Sequence, residues 1–222
     1  MDFMKLFKSL EELLYEIIVT LVFFPKTLWL TFRYPQRMMD YADTELGDVQ
    51  SEQYKDTLSP PLFLMMCVGI SYLAERAAPG PENLSALPSF MQNPENLLAL
   101  RVLVFSLFPL MMSLRLLNGL NIPLDRDTLR PPFFAQCFVA APVAMMVGLS
   151  QTIRHMAAPH SGYVASALLF VTLYWYLRQQ AFWFEAKLKR GMFRSWLMGI
   201  GMGIVTAFIF VALALMVVLT RI

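Results

Sequence analysis

The sequence predicts an all-α membrane protein: a polytopic helical bundle of about five transmembrane helices, preceded by an N-terminal amphipathic helix that lies in the membrane interface. Three observations carry this prediction. Hydrophobic residues make up 57% of the 222 residues and charged ones only 15%, against roughly 25% charged in an average soluble domain. That much apolar surface exceeds what a soluble chain of this length can bury, and it calls for lipid as the solvent. The apolar residues also gather into long runs, and Lys and Arg are shared unevenly among the segments between those runs, as they are when cytoplasmic loops hold the positive charge.

Residues 3–24 read as the amphipathic helix. At about 100° per residue, Lys5, Lys8, Ser9, Glu12, Glu16 and Thr20 share one stripe, and Leu6, Leu10, Leu13, Ile17, Leu21 and Phe24 cover the opposite face. Glu16 falls where a spanning helix would have its centre, and a carboxylate there costs about 2.5–3.5 kcal/mol on insertion. The helix is therefore expected to lie in the interface and not to cross. Glu11, Glu12 and Glu16 interrupt this first apolar stretch and no small-residue cleavage site follows it, so it is not expected to be a cleaved signal peptide. Pro25 is expected to break the helix, and Pro35 to start a short second one at a first-turn position that needs no N–H. Trp29, Phe32 and Tyr34 with Lys26, Arg33 and Arg37 mix aromatic and basic residues in the manner of a headgroup layer. Residues 40–58 carry Asp40, Asp43, Glu45, Asp48, Glu52 and Asp56 and are expected to be exposed. The chain thus divides into an N-terminal interfacial region, 1–58, and a five-helix transmembrane domain, 59–222.

The five spans are expected at about Pro61–Leu73, Leu97–Leu114, Pro132–Leu149, Tyr163–Tyr176 and Trp196–Leu219. A crossing needs roughly 17–25 residues, so the short runs must borrow flanking residues. The loop 75–96, with Pro79, Pro81, Pro88 and Pro94, reads as irregular. Of the 18 Lys and Arg residues, all but Arg76, Arg101, Arg154 and Arg221 fall in the N-terminal region, the segment after the second span and the segment after the fourth. Alternate segments are therefore basic, which places the N-terminus in the cytoplasm and the C-terminus in the periplasm of a bacterial inner membrane. Tyr174, Trp175, Tyr176, Trp183 and Trp196 gather at the same cytoplasmic boundary.

The sequence offers little chemistry. No Asp or Glu falls inside the five spans, and proton-driven carriers need a buried carboxylate as relay. Cys67 and Cys137 lie in separate apolar runs, and His155 and His160 share a short loop with no further ligand type beside them. No catalytic residue, cofactor site or metal site is assigned, and no phosphate-binding glycine loop is present. Gln136 is the strongly polar side chain of the third span. It either hydrogen-bonds a neighbouring helix or, with the kink-forming Pro109 and Pro142, lines a solute path between broken helices. Gly199 and Gly203 in the last span form a GxxxG pair that lets helix backbones approach, within the bundle or between copies. Trp183, Lys187, Lys189, Arg190 and Arg194 mix aromatic and basic residues at helical spacing. They form either a lipid-facing surface or a docking surface for a cytoplasmic partner.

Two stretches resemble Yip1-like bacterial integral membrane proteins, which are often labelled permeases. One is Phe32-Arg33-Tyr34-Pro35-Gln36-Arg37 with Tyr41, Tyr54 and Pro60-Pro61-Leu62-Phe63-Leu64, similar to the segment leading into their first span. Tyr34 stands where those proteins often have His. The other is Lys189-Arg190-Gly191-Met192-Phe193-Arg194-Ser195-Trp196, similar to the basic turn before their last span. The resemblance implies five spans with a cytoplasmic N-terminus, and action through partners rather than catalysis. The function expected is that of a non-enzymatic inner-membrane protein that binds a protein partner or its own copies in the lipid bilayer and organises a complex. The alternative is a small transporter or permease-like subunit. Nucleic acid is not expected as a partner.

Overall fold

The computed structural model describes residues 2–49, 53–78, 93–156 and 158–219. Most of the proline-rich loop, residues 79–92, and the terminal Arg221 lie outside them. The described chain is helical throughout, with helices α1 (Asp2–Arg33), α2 (Pro35–Glu45), α3 (Pro60–Ala77), α4 (Pro94–Leu120), α5 (Arg126–His155), α6 (Ser161–Leu188) and α7 (Met192–Leu219).

Local chemistry sets the helix ends. Pro35, Pro60 and Pro94 each open a helix, where the missing N–H has no intrahelical role. The Asn93 side chain caps α4 by accepting from the Glu95 N–H at 3.0 Å. Asp125 and Thr128 bond reciprocally as a capping box at the start of α5. Asn121 and Lys189 adopt left-handed conformations that stop α4 and α6. Pro25 does not break α1 as expected. The helix runs on through it, because residues beyond it pack on the bundle: Thr27 and Thr31 are fully buried, and the Thr27 hydroxyl donates to the Phe23 carbonyl.

The helices α3 to α7 run alternately up and down. The Phe63 ring of α3 sits 5.8 Å from Phe24 of α1 and 6.1 Å from Phe138 of α5, while Ser71 of α3 meets Gly148 of α5, so α3 and α5 are parallel. At one end of the bundle Arg190 donates to the Gly119 carbonyl, Lys187 pairs with Asp40 and Asp43, and the Tyr54 ring packs on Phe134. At the other end Arg101 pairs with Glu75. Arg101 and Gly119 stand on one helix about 27 Å apart at its usual rise per residue. The segments 34–58, 115–130 and 178–194, which hold most of the positive charge, thus meet at one end.

Helix α5 is the axis. It packs against α3, α4, α6 and α2, and 67% of its apolar stretch is buried. Small side chains at Ala135, Ala140, Ala141, Ala144 and Gly148 let its neighbours approach closely. Helix α1 crosses this axis instead of running along it. Phe24 contacts Phe63 of α3, and eight residues later Phe32 contacts Trp175 of α6, on the other flank of α5.

Four segments are long and apolar enough to cross a membrane: Phe7–Arg33, Pro94–Leu120, Arg126–His155 and Met192–Leu213. The first of these was read from sequence as interfacial. The expected spans within α3 and α6 are not among the four. Helix α3 is short and ends in Glu75-Arg76, and α6 carries Arg178, Gln179 and Gln180 beyond its apolar half. Residues 40–58 are also less exposed than expected. Ala42 of α2 is buried, as are Thr57 and Leu58, and the Leu58 N–H donates to Thr27 Oγ1 at 3.1 Å.

Candidate functional site

A polar layer crosses the bundle near its basic end. Gln136 of α5 and Gln180 of α6 are fully buried and face each other as a reciprocal amide pair. Gln136 Nε2 donates to Gln180 Oε1 at 2.8 Å, and Gln180 Nε2 donates to Gln136 Oε1 at 2.7 Å. Beside it Gln36 of α2 donates to both the backbone carbonyl and the side-chain oxygen of Gln179, at 3.0 and 3.1 Å. The inward stripe of α6 continues with Tyr176 and Trp183, whose O–H and indole N–H are buried without a hydrogen-bond partner among the described residues. An amide buried without partners costs several kcal/mol, and mutual pairing removes that penalty. Gln136 is thus a helix-to-helix tie. Two shallow clefts open on the surface of the bundle, and Gln136, Pro109 and Pro142 line neither of them. Pro109 and Pro142 are buried inside α4 and α5, and the Ser113 hydroxyl donates to the Pro109 carbonyl at 2.6 Å.

The basic end is built around this layer. The aromatic and basic set expected as one surface divides. Trp183 is 2% exposed and packs against Phe184 in the core, so it belongs to no surface. At helical spacing it falls on the same inward stripe as Gln180, a position that its apolar neighbours do not reveal. Lys187 is half-buried and holds Asp43 at 2.9 Å and Asp40 at 3.4 Å, clamping α2 to α6. Burial pulls the Lys187 ammonium down in pKa, but the hydrogen bond and charge of Asp43, with those of Asp40, raise it overall. Lys189, Arg190 and Arg194 are exposed. Arg190 Nη2 donates to the Gly119 carbonyl at 3.0 Å, which ties the α6–α7 turn to the last turn of α4.

The α4–α5 loop is a feature that sequence reasoning missed. Leu120, Ile122 and Leu124 are exposed, Leu124 at 62%, on a segment that is firmly held. Asn121 is left-handed, the Ile122 N–H reaches back to the Leu117 carbonyl, and the Thr128 hydroxyl donates to the Pro123 carbonyl at 2.9 Å. The sequence signal was an apolar residue on each side of Pro123, just ahead of a capping Asp.

In α7 the glycines differ. A Cβ on Gly199 would come 3.2 Å from Gln180 Cβ, so this backbone packs tightly on α6. A Cβ on Gly203 would reach only Leu177 Cδ2 at 4.0 Å, and one on Gly201 would meet nothing. One cleft, of about 370 Å³, lies between α4 and α7 and is lined by Arg115, Arg194, Leu197, Met198, Gly201 and Met202. The other, of about 460 Å³, lies between α1, residues 53–59 and α5, and mixes Glu16, Lys55 and Arg130 with Phe23, Leu62 and Phe134. Among the described residues no three His, Cys, Asp or Glu side chains gather as a ligand set. Compared with protein-family models, with curated proteins and with solved structures, the chain shows no significant match to any.

Proposed function

We propose that the chain is a non-enzymatic, multi-pass protein of the bacterial inner membrane that holds a protein partner at its basic end and thereby organises a membrane complex. The observation that carries this reading is the rigid α4–α5 loop. Ile122 and Leu124 project from a tied-down segment that follows Gly119, whose carbonyl Arg190 holds, and that carries the exposed Asp125, Arg126 and Asp127. Exposed apolar residues on an ordered loop with a charged rim are what a recognition site needs, because little ordering entropy opposes binding. The internal pairing of Gln136 weighs against the alternative, a solute path lined by that residue.

In the proposed topology α3 to α7 make five crossings, with the basic end in the cytoplasm and the C-terminus in the periplasm. Helix α1 lies in the interface, in keeping with its course across α5. Kinship with Yip1-like proteins is part of the same proposal and rests on the motif residues at 32–64 and 189–196. Purification of the full-length protein in mild detergent tests the function. A partner should co-purify in stoichiometric amount and be lost in Ile122→Asp/Leu124→Asp. If no partner is retained, and a solute raises the melting temperature of the lone protein, the transport reading takes its place. A cysteine replacing Met4 should be labelled from the same side as one replacing Gly47. Labelling from opposite sides would make α1 a crossing helix.

A further inference from the structure

The α4–α7 cleft has a chemistry that partner binding at the loop does not use. Its lining is almost wholly apolar, made by Leu197, Met198, Gly201 and Met202 and by the side-chain stems of Arg115 and Arg194 at one end. No carboxylate lines it, and among the described residues neither Arg115 nor Arg194 forms an ion pair. Two arginines at one end of a cleft without a counter-charge make that end positive and favour an anion there. Arg194 stands in the first turn of α7, where the helix dipole adds positive potential. Gly201 faces the cleft with nothing within 4 Å of where a Cβ would stand, so the floor there is open along the helix. The cleft also adjoins the most apolar helix of the four candidate spans, at the end where the basic segments meet.

We infer that this cleft is a binding site for an anionic glycerophospholipid, with the headgroup phosphate held between Arg115 and Arg194 and an acyl chain lying along Leu197, Met198, Gly201 and Met202. A cation pair above an apolar groove between helices recognises both parts of such a molecule. A free phosphate would use only the arginines, and a neutral lipid only the groove.

The test uses the full-length protein in a neutral detergent, with native mass spectrometry for retained lipid and thermal unfolding with added probes. Phosphatidylglycerol should be retained and should raise the melting temperature, whereas phosphatidylcholine and glycerol 1-phosphate should not. Arg194 is exposed, so Arg194→Gln keeps the fold. It should weaken phosphatidylglycerol binding about fivefold, and Arg115→Gln/Arg194→Gln about 25-fold. Gly201→Leu should leave the melting temperature in detergent alone unchanged, since the new side chain enters open space, yet it should abolish retention by filling the groove. Equal stabilisation by phosphatidylcholine, an equal effect of glycerol 1-phosphate, or wild-type retention in Arg194→Gln and Gly201→Leu would each overturn the assignment.

Discussion

Helices α5 and α7 are both long enough to cross a bilayer, yet they are built on opposite plans. Helix α5 carries the buried Gln136, the small residues Ala135, Cys137, Ala140, Ala141, Ala144 and Gly148, and the mid-helix Pro142, and 67% of its apolar stretch is buried. Helix α7 is the more apolar of the two, with a mean hydropathy of 2.2 against 1.8, and only 11% of its stretch is buried. Phe193, Leu197, Ile204, Phe208 and Val211 stand exposed along it. A soluble protein would arrange these helices the other way round. In lipid the large apolar side chains gain nothing by turning inward, since the hydrocarbon is as apolar as leucine. Small residues that allow close packing, and polar groups that need partners, go to the axis instead. The same contrast separates the glycines: Gly148 of α5 is pressed against Ser71, whereas Gly201 of α7 faces open space.

The largest expected effect lies on the axis. A Cβ at Gly148 would stand 2.6 Å from Ser71 Cβ, so Gly148→Leu should cost about 1–3 kcal/mol and lower the melting temperature in detergent. An unchanged melting temperature would mean that α3 and α5 are not in close contact. The amide pair comes next. Gln136→Leu leaves the Gln180 amide sealed without a partner, at a cost of about 1–3 kcal/mol. Gln136→Leu/Gln180→Leu should recover most of that loss, and a thermodynamic cycle should give a coupling of about 1 kcal/mol. Additive losses would show that the two side chains do not meet. The smallest effects belong to α7. Gly199→Ala should destabilise by about 1 kcal/mol through its contact with Gln180. Gly203→Ala and Gly201→Ala should be neutral or slightly stabilising, because alanine favours the helix by up to about 1 kcal/mol over glycine.

Much of this arrangement was legible in the sequence, for reasons that differ by element. The all-helical fold and the last span followed from apolar runs whose meaning is unambiguous in a chain with so few charges. The shared location of segments 34–58, 115–130 and 178–194 followed from Lys and Arg alone, a signal independent of the runs. The path of α1 beyond Pro25 was not legible. Local propensity opposes a proline inside a helix, and the packing of Thr27 and Thr31 that outweighs it is a tertiary fact. Of the candidate site, Gln136 was singled out by type, but its partner 44 residues away was hidden beyond the expected end of the fourth span, in a run read as a lipid-facing or docking surface. Trp183 was assigned to that surface for the same reason: the run continues α6, and its inward stripe appears only once the helix is known to extend to Leu188. The grip of Gly199 on α6, tighter than that of Gly203, depends on where α6 lies, and the spacing of the two glycines is silent on it.

The central claim is that the two ends of this bundle stand on opposite sides of a membrane, with the basic end inside. Labelling with an impermeant thiol reagent tests it most directly, and the background is low because Cys67 and Cys137 are both buried. Gly47 and Gly162 are exposed near opposite ends of the bundle, and a side chain at Gly162 meets nothing within 4 Å. In intact cells Gly162→Cys should react, and Gly47→Cys should react only after the inner membrane is permeabilised. Equal reactivity of the two in intact cells, or reaction of Gly47→Cys alone, would contradict it.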